Sequence, residues 1–140
     1  MLHGVHRAGG SERFSAIALH KDIVHLPSQI SHRETKGIEQ QTREVFDKID
    51  ALLSEANTGI RGVLSVQVWL ADMNDYAAFH TVWNEWVAGV MPPTRVCLEA
   101  RLAEPYAKVE ILVIAMRDRS RRSDQSNATD LEAQVPEHLI

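Results

Sequence analysis

The segment "PPTRVCLEARL" (92–102) sets an arginine, the chain's only cysteine and two further charged residues at alternate positions. In an extended strand alternate side chains share a face. Arg95, Cys97, Glu99 and Arg101 then stand in one row, with Val96, Leu98, Ala100 and Leu102 behind them. Such a polar row looks either at water or into a polar site. Arg95 offers a planar, two-pronged donor set that matches a carboxylate, and its charge does not titrate away. A lone strand arginine is otherwise an ordinary surface or ion-pair residue. Cys97 by itself reads as a small buried hydrophobe, with no neighbour in the sequence to stabilise a thiolate. Fifteen residues after Arg95, Glu110 sits in the apolar run "KVEILV", where an unpaired carboxylate is costly to bury. It must pair, face water or work.

These residues need elements to hold them. "FSAIALHKDIVHLPSQI" (14–30) reads as a β-hairpin, with apolar runs Ala16–Leu19 and Ile23–Leu26 around the polar break His20-Lys21-Asp22. Pro27 ends or bulges the second strand. From Ile38, the residues Val45, Phe46, Ile49, Leu52, Leu53 and Ala56 recur at helical spacing. Asn57 and Gly59 supply the stop. "GVLSVQVWLAD" (62–72) is a strand with Leu64, Val66, Val68 and Leu70 on one face and Ser65, Gln67 and Trp69 on the other. Asn74 or Asp75 can cap a second helix whose inner stripe is Tyr76, Phe79, Trp83 and Trp86. Pro92 and Pro93 forbid its continuation. The Arg95 strand follows, then a turn at Glu104-Pro105 and a last strand over Lys108–Arg117.

The order is ββαβαββ, which predicts a two-layer α+β domain with both helices on one face of the sheet. The uncovered face, expected to carry Ser65, Gln67, Trp69, Arg95, Cys97 and Glu99, is too mixed for a core. It is too apolar for plain solvent as well, so burial against other subunits is expected. The domain spans 1–117. Residues 118–140, rich in Ser, Asp and Arg without periodicity, read as a flexible C-terminal tail.

The whole chain has 140 residues, a formal net charge of −4 and 44% hydrophobic residues. That is one globular domain by size, with no excess positive charge to draw it to nucleic acid or an anionic membrane. One cysteine forms no internal disulfide and no CxxC pair, which favours a reducing, cytoplasmic setting and no metal. The N-terminus lacks a signal-peptide core, and no segment reaches membrane-spanning length.

Taken together, "PPTRVCLEARLAEPYAKVEILVIA", the hairpin "FSAIALHKDIVHLPSQI" and the helix "QTREVFDKIDALLSEA" resemble the RidA/YjgF family of imine and enamine deaminases, over Phe14 to Arg117. The resemblance implies a chorismate-mutase-like fold with a mixed sheet, assembled as a homotrimeric barrel with sites in clefts between subunits. It implies hydrolytic deamination of 2-imino acids and their enamines to 2-keto acids and ammonia, an activity of the 2-iminobutanoate/2-iminopropanoate deaminase type without cofactor. Arg95 would grip the carboxylate, Glu110 would orient or activate water, and Cys97 would line the site. Phe14, Ser28 and His80 fall on substrate-lining positions. There the chain departs from the family pattern: Phe14 replaces a tyrosine, Pro27-Ser28 stands for Ser-Gly or Ala-Gly, and His80 stands for an asparagine. These changes point to an altered substrate. The alternative is a trimer on the same scaffold that binds a metabolite or protein without catalysis.

Overall fold

The protein is seen in a computed structural model, which describes residues 4–118. The expected tail lies outside the described residues from 119 onward. In chain order the elements are β1 (Val5–Ala8), β2 (Ile17–His20), β3 (Ile23–His25), α1 (Ile38–Glu55), β4 (Val63–Leu70), α2 (Tyr76–Trp86), β5 (Thr94–Glu99) and β6 (Val109–Met116). β1 is an addition to the expected order. Its four residues, Val-His-Arg-Ala, are too few and too polar to show alternation.

The six strands form one mixed sheet in the order β1-β2-β3-β6-β4-β5. Every neighbouring pair is antiparallel except β4 and β5, which run parallel because α2 carries the chain back between them. The hairpin closes through Lys21-Asp22, with Lys21 in the left-handed region at φ 54°. α1 buries Ile38, Val45, Phe46, Ile49, Leu52 and Leu53. It stops where Asn57 turns left-handed at φ 59°. α2 buries Phe79, Val82 and Trp83. Both helical stripes join Val66, Val68, Leu70, Val109, Ile111, Val113 and Ala115 in one core. Before α2, a short 3₁₀ turn is capped by Asp72, whose Oδ1 accepts from the Asn74 amide at 2.9 Å. Asp75, one of the two expected caps, sits at the N-cap position of α2 but makes no side-chain cap bond; the bond that closes this entry comes from Asp72.

Two expectations about faces are corrected. Leu64 is 45% exposed, not in line with Val66 and Val68, because a bulge between Val63 and Ser65 shifts the alternation there. More consequentially, β5 is turned over. Its register sets Arg95 beside Val66 and Cys97 beside Val68, so both face the helices. Val96 sits beside Gln67 and Leu98 beside Trp69, on the face no helix covers. Alternation defines two faces but not which is inner. At the end strand of the sheet the apolar set turned outward, leaving Leu98 53% exposed.

Candidate functional site

Arg95 rises from the end strand β5 toward α2, onto a wall of rings. Its guanidinium carbon lies 4.9 Å from the Trp83 ring centre, 5.9 Å from Phe79 and 6.0 Å from Tyr76. These ring faces attract a cation. Nη1 is 2.8 Å from His80 Nε2, and Nη2 donates to the Tyr76 hydroxyl at 3.2 Å. Tyr76 and His80 meet edge-to-face at 4.1 Å. The helical spacing 76, 79, 80, 83 brings these four side chains onto one side of α2. Among the described residues no carboxylate pairs with Arg95. It is a half-buried cation lacking an anion. His80 is held below the usual imidazole range, first by burial and then by the Arg95 charge. Cys97 follows on the same face; burial pushes its thiol up more than Arg95 pulls it down, which makes it a neutral lining group.

Glu110 stands elsewhere. It pairs in register with Trp69, three positions along β4 from the Val66 that flanks Arg95. An odd offset means the opposite side of the sheet. Glu110 therefore emerges on the helix-free face, beside Trp69 and Leu98. Burial raises its carboxyl above the ordinary value, and among the described residues no hydrogen bond or ion pair reaches it. Ser28 belongs with Glu110: Gln29 bridges to Ile111, which places Ser28, exposed, on Glu110's side of the sheet. Phe14 is 50% exposed in the loop before β2. That loop is braced by the Ser11 amide donating to the Phe14 carbonyl at 2.8 Å. A Cβ on Gly10, at φ 101°, would strike the Phe14 carbonyl.

One chain thus brings Arg95, Cys97 and His80 together on the β5–α2 edge, and presents Glu110 and Ser28 on the other side of the sheet. Arg95 and Glu110 do not meet within a subunit. Sequence reasoning missed Tyr76 and Trp83 as partners of the guanidinium, assigning both to packing. The signal was present, since Tyr76 carries a hydroxyl one helical turn before His80. Among the described residues no group of three or more His, Cys, Asp and Glu side chains is clustered as a metal site requires. No helix there is long and apolar enough to cross a membrane.

Residues 6–117 match the family model described as endoribonuclease L-PSP. A RutC family protein of Haemophilus influenzae is 39% identical over 106 residues, covering 75% of this chain and 91% of the relative. The Escherichia coli RutC family protein YoaB is 29% identical over 78% of this chain and 95% of its own length. Among solved structures, a Pseudomonas aeruginosa protein superposes with a TM-score of 0.78 at 34% identity, covering 81% of this chain and 99% of that one. A YjgF family member from Neisseria meningitidis gives 0.77 at 32% identity, over 81% and 95%. With the mixed sheet, two helices and family signature all in agreement, this chain belongs to the YjgF/Rid family.

Proposed function

We propose that this protein hydrolyses reactive 2-imino acids and enamine acids to 2-keto acids and ammonia, in clefts between the subunits of a homotrimer. The observation that carries this reading is a pair of unmatched charges. Among the described residues Arg95 is a half-buried cation without an anion, and Glu110 a half-buried carboxylate without a cation, on opposite sides of one sheet. Leaving either uncompensated is costly. A second copy laid over the helix-free face brings one subunit's Glu110 and Ser28 toward another's Arg95, Cys97 and His80. A carboxylate-bearing substrate completes the set.

In that cleft Arg95 takes the substrate carboxylate through its planar donor pair. The adjacent protonated imine carbon is electrophilic. Glu110 accepts a proton as water adds to that carbon, giving a carbinolamine. Glu110 returns the proton to nitrogen, and as the C–N bond breaks the carbinolamine hydroxyl gives its proton back to Glu110. The keto acid forms, ammonia leaves, and that proton passes on to it as ammonium. Cys97 and Ser28 line the pocket, and no cofactor enters the balance. General acid–base help of this type contributes about 10²–10⁴-fold.

A second reading has its own support. Phe14 lacks a hydroxyl, Pro27 lacks an amide donor, Ser28 adds bulk, and His80 reaches Arg95 directly. These changes fit an altered substrate, or a trimer that binds a metabolite or protein without turnover. An endoribonuclease role, as the family model's description has it, gains nothing from a net charge of −4, because RNA binding draws on positive charge. The deciding experiment follows decay of imines generated from several amino acids, trapped with semicarbazide. Faster decay with wild type than with Arg95→Ala is expected. No acceleration of any imine overturns the enzymatic reading in favour of the binding one.

A further inference from the structure

His80 stands in a place that asks for an explanation of its own. A guanidinium only donates hydrogen bonds, so Nε2, 2.8 Å from Arg95 Nη1, accepts. The neutral ring then carries its proton on Nδ1. Among the described residues of one subunit, Tyr76 on α2 and Arg95 on β5 lie around it, and no acid contacts it. Among the described residues the nearby carboxylates are engaged elsewhere. Asp50 of α1 accepts from Trp86 Nε1, Glu85 of α2 pairs with Arg43 of α1, and Glu99 of β5 accepts from the Met73 amide. Cys97, next along the same face of β5, is a neutral thiol. The empty cluster holds one fixed positive charge and one imidazole.

We propose that His80 is the positioning residue of the Arg95 clamp and takes up a proton when a carboxylate ligand binds there. The inference rests on reading Arg95 as a carboxylate clamp. Without ligand, the neutral imidazole serves as the acceptor that holds the guanidinium over Trp83. An arriving carboxylate replaces it as acceptor and frees Nε2. The same carboxylate adds a negative charge beside the ring, which favours the imidazolium. The bound carboxylate then lies between two donors, one fixed and one recruited.

The sign follows from linkage. Burial and Arg95 depress His80 in the free protein, and the ligand raises it. Binding therefore draws in a proton and tightens as pH falls from the raised, ligand-bound value toward the depressed, ligand-free one. One linked proton limits the slope to about tenfold per pH unit.

The test is calorimetric titration of the full chain with 2-oxobutanoate, the keto acid the proposed reaction would release. It is run from pH 8 to 5.5 in two buffers of different ionisation enthalpy, alongside NMR titration of the His80 ring. His80→Gln is the informative variant: its carbonyl replaces Nε2 as acceptor and does not titrate. Wild type should take up close to one proton and bind more tightly toward acid. His80→Gln should still bind but lose that slope. Glu110, itself raised, titrates in both proteins, so the difference between them is the measure. Equal slopes, or no proton uptake by wild type, overturn the proton linkage while leaving the clamp standing. Binding that survives Arg95→Ala unchanged, or no binding by wild type at any pH, overturns the clamp reading instead.

Discussion

Arg95 and Glu110 were legible as chemistry because their types are incongruous: a guanidinium in a strand and a carboxylate in an apolar run each demand a partner. Their faces were not legible, since alternation is the same whichever side is inner. Arg95→Lys keeps the charge but loses the fork that lies over Trp83, whereas Arg95→Ala loses both charge and fork. A charge-assisted pair of about 1.5–3 kcal/mol is at stake, or roughly 10- to 150-fold in kcat/KM. Alanine should be near-inactive on any carboxylate-bearing imine and lysine intermediate, both measured by semicarbazide trapping. Glu110 tests the water side. Its raised carboxyl must be ionised to accept a proton, so activity should fall toward acid, with a midpoint above the ordinary carboxylate value. Glu110→Gln should lose about 10²–10⁴-fold together with that acid limb. A pH–rate profile of kcat/KM that keeps the limb in the glutamine variant would remove Glu110 from the role. The two titrations oppose one another: acid favours the clamp through His80 and disfavours the base.

At the scale of elements, the hairpin, both helices and strands β4 and β6 followed from periodicity and turn residues, because each has a buried stripe to enforce it. β5 followed from its alternation alone, although none of its residues is buried. β1 did not, and neither did the service done by the buried side of α1. Gln41, 1% exposed, donates from Nε2 to the carbonyls of Thr35 and Tyr106 and accepts from the Lys108 amide. One glutamine thereby ties the segment before α1 to the entry of β6, the strand that carries Glu110. Sequence reading passed over it, since a polar residue in a helix looks solvated until the fold buries it. Gln41→Leu keeps the volume and strands three backbone groups. At about 1–3 kcal/mol for each buried group left unsatisfied, the melting temperature should drop clearly, by several degrees. An unchanged melting temperature would mean that water or neighbouring groups replace all three bonds. The Arg95 cluster, held by α2 and β5, should be little affected, so carboxylate affinity should survive the substitution at temperatures where the fold persists.

At the scale of the whole molecule, the helix-free face decides whether the two half-sites ever meet. The sequence called for subunit contact here, and for the right kind of reason, a face neither core-like nor solvent-like; the residues it named were partly those of the other side. The actual face carries Trp69, Val96, Leu98, Leu112, Ile114 and Met116 around Glu110 and Gln67, with His25 and Arg7 farther along the sheet toward β1. Apolar side chains so arranged across adjacent strands favour a partner over water. Burying one such side chain contributes about 1.5–3 kcal/mol, and a closed ring of three copies gains it at every interface. Wild type should therefore scatter light as three copies of the 15.7 kDa chain at micromolar concentration. Leu98→Glu places a second carboxylate next to Trp69 and near Glu110, where like charges repel and cannot be desolvated cheaply. It should scatter as a monomer with the far-ultraviolet dichroism of wild type, because Leu98 faces away from the helices. Its imine hydrolysis should fall with the mass, even though Arg95, His80 and Glu110 are all intact. A monomeric Leu98→Glu with full activity would show that one subunit holds a complete site, and a monomeric wild type would remove the shared cleft altogether.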